Sequence, residues 1–375
     1  MNNKFERLYL LDFARAIAAT CVVLLHYQHF YFSDYNQQLN FTKNLQPFYN
    51  ILGIFYEFGT VAVQFFFILS GFIFFMFYRE RILEGVINFK NFIILRLTRL
   101  YPLHLLTLIL VLIIQFFYNQ SYSEYFIYKN NNLENFIAHF LLIQEWGLIG
   151  ETASYNGPSW SISVEFFLYI IFFLISIFFI KNIFQSLITI IISLLIYFFL
   201  QPVLNNLILG LLLFYIGGFT FFFYIYLKKF YKKKIFILVL IIIDIIVFGR
   251  FLNESFLNFQ NSIEFLIGNK LFILLFFIKF PLIIINLSIL QLYKKNLGKN
   301  IKLLGDISYT IYLVHFPIQL LFALVIKKML IIDFNSPFFF LIYISTVFLA
   351  SILIYKFFEL PLKDYLRGKL IEKKN

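Results

Sequence analysis

Residues 12–26 read DFARAIAATCVVLLH, an apolar stretch that opens with Asp12 and Arg15 and closes with His26. Ionisable groups inside a segment of membrane-span composition are costly and mark candidate functional positions. On an α-helix, the eleven steps from Arg15 to His26 return to within ~20° of the same azimuth and advance ~16 Å along the axis. Asp12 precedes Arg15 by three residues, the spacing of an intrahelical ion pair. One helix face therefore carries a carboxylate and a guanidinium near one end and an imidazole near the other. A structural Asp12–Arg15 pair with an interfacial His26 accounts for the same pattern.

Other segments carry chemistry of the same kind. RLTRLYPLH (96–104) presents Arg96 and Arg99 at i and i+3, two planar forks suited to a phosphate; for the pair taken alone, anchoring at the cytoplasmic face is the better explanation. His104 follows Pro102 without an evident partner and reads as structural. NGPSWSISVEFFLY (156–169) turns at Gly157 and Pro158, then sets Ser161 and Glu165 one helical turn apart. A carboxylate entering an apolar helix must be paired, neutralised or exposed to a cavity. Beside His26 it would orient the ring and stabilise its protonated form, as acid–base catalysis requires. The alternative is a helix cap with an acid in the first turn.

LGDISYTIYLVHFP (304–317) places Ser308, Tyr312 and His315 on one helix face, with Pro317 loosening the helix just beyond. In FFFILSGF (65–72), Ser70 and Gly71 permit close backbone approach or helix packing. His29 and His139 stand isolated in sequence, and no His or Glu pair has zinc-like spacing, so no metal is expected. The lone Cys21 excludes an intramolecular disulfide and reads as packing rather than as a nucleophile.

The elements that must position these residues follow from composition. The 375 residues are 61% hydrophobic, 22% aromatic and 13% charged, against about 25% charged in a soluble domain. So little charge cannot cover a water-soluble surface, and the chain reads as an all-α, polytopic membrane helix bundle. A span needs ~20 mostly apolar residues, and about ten segments qualify: 8–27, 60–78, 94–117, 159–180, 185–200, 204–226, 235–250, 271–291, 303–326 and 337–358. LENFIAHFLLIQ (133–144) is too short to span and reads as interfacial or re-entrant.

The net charge of +12 sits between apolar runs and fits a cytoplasmic excess of Lys and Arg rather than nucleic-acid binding. With both termini cytoplasmic, the inside segments hold 22 Lys and Arg and the outside segments six. Arg96 and Arg99 then lie near the cytoplasmic face. The long loops 28–59 and 118–158 face outward, where an external substrate would be met. The first apolar segment lacks a cleavage site, so no signal peptide is expected. The whole of 1–375 reads as one integral membrane domain.

LYLLDFARAIAATCVVLLH, GTVAVQFFFILSGFIF, LRLTRLYPL, GPSWSISVEFFLY, LGDISYTIYLVHFPI and FFELPL, in this order, resemble the acyltransferase 3 family. Its members are bacterial integral membrane O-acyltransferases that decorate surface glycans and small molecules. The ordered set spans nearly the whole chain, with Asp-Phe-Ala-Arg-Ala here where relatives often read Asp-Gly-Leu-Arg-Gly. An appended hydrolase-like domain, present in many relatives, is not expected here.

The resemblance implies a multi-pass protein of the bacterial inner membrane. Acyl-CoA, most simply acetyl-CoA, would be drawn from the cytoplasm as donor substrate, with no permanently bound cofactor. A carbohydrate hydroxyl at the outer side would be the acceptor. In that frame Arg15, Arg96 and Arg99 meet the coenzyme's phosphates, and the Arg15–His26 separation is comparable to its pantetheine arm. His26 is the general base and Glu165 its support, with a transient acyl-histidine as the mechanistic alternative. Asp12, Ser70, Trp160, Ser161, Ser163, Tyr312 and His315 are supporting residues. A flippase-like glycan or lipid carrier, or an inert membrane sensor, would share the composition but not the ordered motifs.

Overall fold

A computed structural model describes residues 7–32, 41–150, 153–178, 182–200, 205–258, 273–329 and 333–371. Among them there is no strand. The α-helices longer than five residues are α1 (Tyr9–His26), α2 (Tyr49–Phe58), α3 (Val61–Phe77), α4 (Phe89–Tyr122), α5 (Leu133–Leu141), α6 (Trp160–Phe178) and α7 (Ile183–Leu200). They continue with α8 (Asn205–Leu227), α9 (Lys234–Asn258), α10 (Phe280–Tyr293), α11 (Ser308–Met329), α12 (Pro337–Ile354) and α13 (Leu360–Leu370). Short π-helical segments, Ile273–Lys279 and Tyr355–Glu359, lead into α10 and α13.

The described residues of each of the ten expected spans are mainly helical. Seven described helices are long and apolar enough to cross a membrane, and eight if the pair Tyr49–Glu57 and Val61–Phe77, bent by 60°, forms one span. The other two expected segments are α7 and α9. Lys4, Lys181, Lys270, Lys373 and Lys374, counted in the charge asymmetry, lie outside the described residues, as do the side chains of Arg250, Lys327 and Lys328. So do residues 33–40 and 151–152 of the two long loops. The short segment at 133–144 forms α5, which buries Asn135, Ala138 and His139 and exposes Leu133, Ile137, Phe140 and Leu141. That amphipathic division is what an interfacial helix requires.

The chain forms two compact units. The first comprises Met1–Arg15, Gln64–Val86 and Phe172–Gly305. Within it α3 and α8 cross closely at Gly71 and Gly217. A Cβ at Gly71 would fall 1.8 Å from the Phe214 carbonyl oxygen, and one at Gly217 would fall 1.9 Å from that of Ile68. In lipid, where apolar burial between helices gives little drive, such close backbone contact is a main source of association. The SG pair of FFFILSGF thus serves packing, with Ser70 half-buried beside the contact. Gly71→Ala is expected to destabilise by about 1–3 kcal/mol through overpacking, seen as a lower unfolding midpoint in detergent. An unchanged midpoint would mean that these helices part at no cost. Elsewhere in the unit, Lys279 donates to the Asp244 carboxylate at 2.6 Å and to the Asp244 carbonyl at 3.1 Å, pairing two ions inside apolar helices.

The second unit comprises Ala16–Val63, Ile87–Ile171 and Asp306–Asn375. It centres on α11, which packs against α4 and α12. Leu108, Val111 and Tyr118 of α4 meet Phe316, Leu320 and Ala323 of α11, with Phe126 and Tyr155 from the intervening loop. After α1 the chain tightens into a 3-10 turn, Tyr27–Phe32. Tyr27 and Tyr31 donate to the Phe334 carbonyl at 2.8 and 3.0 Å, and Tyr27 packs edge-on to Phe340. These contacts hold the end of α1 and the turn after it beside α12.

Candidate active site

His26 is the last residue of α1, and the 3-10 turn brings His29 back beside it, the ring centroids 4.9 Å apart. From α11, His315 stacks on His26 with centroids 5.0 Å apart and Nε2 3.0 Å from His26 Nδ1. Gln319, one turn further along α11, donates through Nε2 to the His26 carbonyl at 2.8 Å. Its Oε1 lies 3.2 Å from His29 Nδ1. His29, His315 and Gln319 are buried, whereas His26 is half-buried. Within this cluster of imidazoles His26 is the least buried residue. Among the described residues, no group of three or more His, Cys, Asp or Glu has the geometry to hold a metal.

The loop before α6 is docked on α11 by a consequence of Pro317. Proline lacks an N–H, which frees the carbonyl four residues earlier; that carbonyl, Leu313, instead accepts from Asn156 Nδ2 at 3.1 Å. The Tyr312 hydroxyl reaches the Pro158 carbonyl at 2.5 Å and the Ser161 hydroxyl at 2.7 Å. The Tyr312 ring lies 6.2 Å from that of His315. The segments NGPSWS and YLVH are therefore brought together in the second unit. Trp160 opens α6, half-buried. Ser163 is buried and accepts from the Glu145 N–H at 3.2 Å while donating to the Leu142 carbonyl at 2.9 Å, so it pins the preceding loop.

Glu165 accepts a short hydrogen bond from the Tyr169 hydroxyl. Tyr169 in turn lies near Arg96, whose guanidinium carbon is 5.9 Å from the ring centroid. Tyr309 is within electrostatic reach of Glu165, Tyr169, Arg99 and Glu359, and Tyr312 within reach of Glu165. Glu359 accepts from the Thr310 hydroxyl at 2.6 Å. Arg367 of α13 donates to the Thr98 hydroxyl at 3.3 Å and the Leu95 carbonyl at 3.2 Å, binding α13 to the start of α4. Lys363, one turn before Arg367, feels the charges of Arg99 and Glu359. Arg99 and Lys363 therefore flank the buried Glu359, with Arg367 beside Lys363 and the carboxylates of Asp306 and Asp364 in the same neighbourhood.

In the first unit, Arg15 donates to Asp12 Oδ1 and Arg7 to Asp12 Oδ2, each at 2.5 Å, and Arg15 Nη2 lies 3.4 Å from the Gly305 carbonyl. A Cβ at Gly305 would meet Asp12 Cβ at 2.5 Å, so glycine is what admits this approach. The expected Asp12–Arg15 pair thus exists, with Arg7 as a second cation. Helix α1 is unbroken from Tyr9 to His26.

Sequence reasoning missed His29, Gln319, Asn156, Lys363 and Arg367. Asn156 stands inside the quoted NGPSW segment, Gln319 follows HFPI, and the two cations follow FFELPL, so position beside a motif was the available signal. His139, isolated in sequence, is fully buried. Its Nε2 lies 2.9 Å from the Ser154 hydroxyl, its Nδ1 3.2 Å from that of Ser159, and its carbonyl accepts from His104 Nε2 at 2.8 Å. His104 thereby has a partner.

Burial and the neighbouring His104 push His139 down from 6.5 to about 3. Between those values the unfolded loop binds more protons than the folded one. The stability of the loop is therefore complete above about 6.5 and falls as pH drops toward 3, at up to ~1.4 kcal/mol per pH unit. Amide exchange in 133–150 and 153–159, corrected for intrinsic rates, is expected to be faster at pH 5 than at pH 7. His139→Asn should flatten that dependence; an equal dependence in the variant would assign the effect elsewhere.

The arrangement defines a helical membrane protein whose half-buried imidazole is supported by a second one, with guanidinium groups gathered elsewhere in the same unit. A family model described as an acyltransferase domain matches residues 8–356. The chain belongs to this family, acyltransferase 3. Over 114 residues it is 34% identical to "Acyltransferase MdmB" of Streptomyces mycarofaciens, a stretch that covers 30% of this chain and 27% of that relative. No solved structure matches the chain.

Proposed function

We propose that the protein is an O-acyltransferase, most simply an O-acetyltransferase, of the bacterial inner membrane. It moves the acyl group of acyl-CoA to a hydroxyl of a cell-surface polysaccharide or its lipid-linked precursor. The observation that carries this reading is the 3.0 Å contact between His26 Nδ1 and His315 Nε2, which leaves the other nitrogen of a half-buried ring as a base. Family membership supports acyl transfer as the chemistry.

In the reaction the acceptor oxygen attacks the thioester carbonyl while His26 Nε2 takes its proton. The new C–O bond forms, the C–S bond breaks, and the leaving sulfur takes the proton back from His26, so the histidine returns to its starting state. Arg96 and Arg99 are assigned to the donor's phosphates. Glu165, tied to Tyr169 and within reach of Tyr312, supports the electrostatics between the base and the cations. The orientation with both termini cytoplasmic is part of the proposal, because it sets Arg96 and Arg99 on the side that supplies the donor.

The test is chemical. Surface glycans from cells with and without the gene are compared by mass spectrometry and NMR for ester-linked acyl groups. Loss of one acyl resonance in the deletion, restored by the gene, is the expected result. Identical acyl content, with the protein inserted in the membrane, would overturn the proposal. A carrier would instead change the amount of glycan exported without consuming acyl-CoA.

A further inference from the structure

We infer that His315 is a positioning residue that fixes the tautomer of His26, holding the proton on Nδ1 so that Nε2 presents the lone pair. The inference rests on the assignment of His26 as base and names what prepares it.

The hydrogen bonds run in one direction. His315 Nδ1 lies 3.3 Å from the carbonyl of Ile311, four residues earlier on α11. A carbonyl only accepts, so Nδ1 carries the proton, and in a neutral imidazole Nε2 then carries the lone pair. That lone pair lies 3.0 Å from His26 Nδ1. The proton between the rings therefore belongs to His26. With Nδ1 protonated, His26 Nε2 is the free base. In the opposite order, a neutral His315 protonated on Nε2 would aim a lone pair at the Ile311 carbonyl, acceptor against acceptor.

The backbone that carries each ring is tied down on both helices. Gln319 Nε2 donates to the His26 carbonyl at 2.8 Å, and the Tyr343 hydroxyl donates to the His315 carbonyl at 3.3 Å. Once His26 Nε2 has taken the acceptor's proton, Nδ1–H remains donated to His315, and the proton on Nε2 is the one passed to the leaving sulfur. His315 itself gains and loses no proton. It does for His26 what a carboxylate does in the serine-protease triad, orienting the ring and selecting its tautomer, but without a negative charge.

The experiment labels the five histidines with 15N in the full-length protein in lipid nanodiscs, with the His26 signals assigned by their loss in His26→Asn. In the wild type, Nδ1 of His26 is expected to resonate as a protonated nitrogen and Nε2 as an unprotonated one; the reverse pattern overturns the inference without any variant of His315. His315→Leu removes the acceptor and is expected to give a mixture of His26 tautomers and a roughly 10²- to 10³-fold lower kcat, with KM for acyl-CoA changed less than about threefold. His315→Gln offers a side-chain carbonyl to the same Nδ1–H, and should restore both the wild-type tautomer and most of kcat.

If the leucine and glutamine variants behave alike, His315 is only packing and the inference fails. If His26→Ala transfers acyl groups normally, the base assignment fails, whatever tautomer is found. An inactive His26→Ala with an unaltered His26 spectrum in His315→Leu defeats the inference and leaves the base assignment standing.

Discussion

His26→Ala is expected to lower kcat for acyl transfer by roughly 10²- to 10⁴-fold, the usual contribution of a positioned general base. The effect should fall on kcat. His26 is half-buried at the end of α1 and held through its Nδ1 and its carbonyl, so the atom lost to chemistry is Nε2. KM for acyl-CoA should change little, because the groups assigned to the phosphates sit on α4 rather than beside the ring. Steady-state rates with purified protein in proteoliposomes test this, using a soluble saccharide acceptor and reading free thiol release. The alanine side chain leaves a space beside His315, so folding is checked by monodispersity and helix content. A kcat within threefold of wild type in folded protein removes His26 from the chemistry. If the histidine is instead acylated, single-turnover mixing with labelled acyl-CoA and no acceptor should leave label on the wild-type protein and none on the variant.

The second large effect is expected at Arg99. Arg99→Gln should raise KM for acyl-CoA about 10- to 100-fold, the loss of a charge-assisted hydrogen bond worth about 1.5–3 kcal/mol. The reason lies in its surroundings. Arg99 is half-buried among Tyr169, Tyr309, Glu359 and Lys363, and α13 brings Arg367 to the same end of α4. A phosphate there would meet several cations, and removing one fork weakens but does not abolish the site. Arg99→Lys keeps the charge and loses the bidentate geometry, so its KM should fall between those of wild type and glutamine. A donor lacking the coenzyme's 3′-phosphate separates binding from structure: a phosphate contact predicts that the Arg99→Gln penalty shrinks with that donor. An equal penalty for both donors would assign Arg99 to the packing of Glu359 instead.

Arg96 differs from Arg99 although the two are one turn apart. Arg96 is buried, 5% exposed, against the face of Tyr169, whereas Arg99 shares an electrostatic neighbourhood with α13. The i, i+3 spacing fixes that they lie on one side of α4. It does not say what stands opposite. The C-terminal segment was legible in the sequence only as the quoted FFELPL, and its role in binding α13 to α4 through Arg367 depends on two stretches roughly 270 residues apart in the chain.

Much of the site was legible because membrane composition makes polar residues conspicuous. In a chain that is 13% charged, an aspartate, an arginine and a histidine inside one apolar run stand out. The same holds for the Ser-Gly of FFFILSGF, where the missing side chain became the contact of Gly71 with Phe214. His29 and His139 were illegible for the opposite reason. A lone histidine carries no periodicity, and the partners of these two, Gln319 for one and Ser154 and Ser159 for the other, are set by how loops fold back.

The sequence by itself determined the helices, the phase of Arg15, Asp12 and His26 on α1, and the family. Each follows from short-range rules: hydrophobic runs of membrane length, about 100° per residue, and motifs in order. Only the tertiary structure decided which ring meets His26. His315 reaches it from 289 residues away, through a contact that depends on the packing of α11 against neighbouring helices and on the loop captured by the carbonyl that Pro317 frees. Local periodicity fixes which way a side chain points from its own helix. The direction of a proton in a hydrogen bond between helices is fixed by the acceptors on the far side, here the Ile311 carbonyl behind His315.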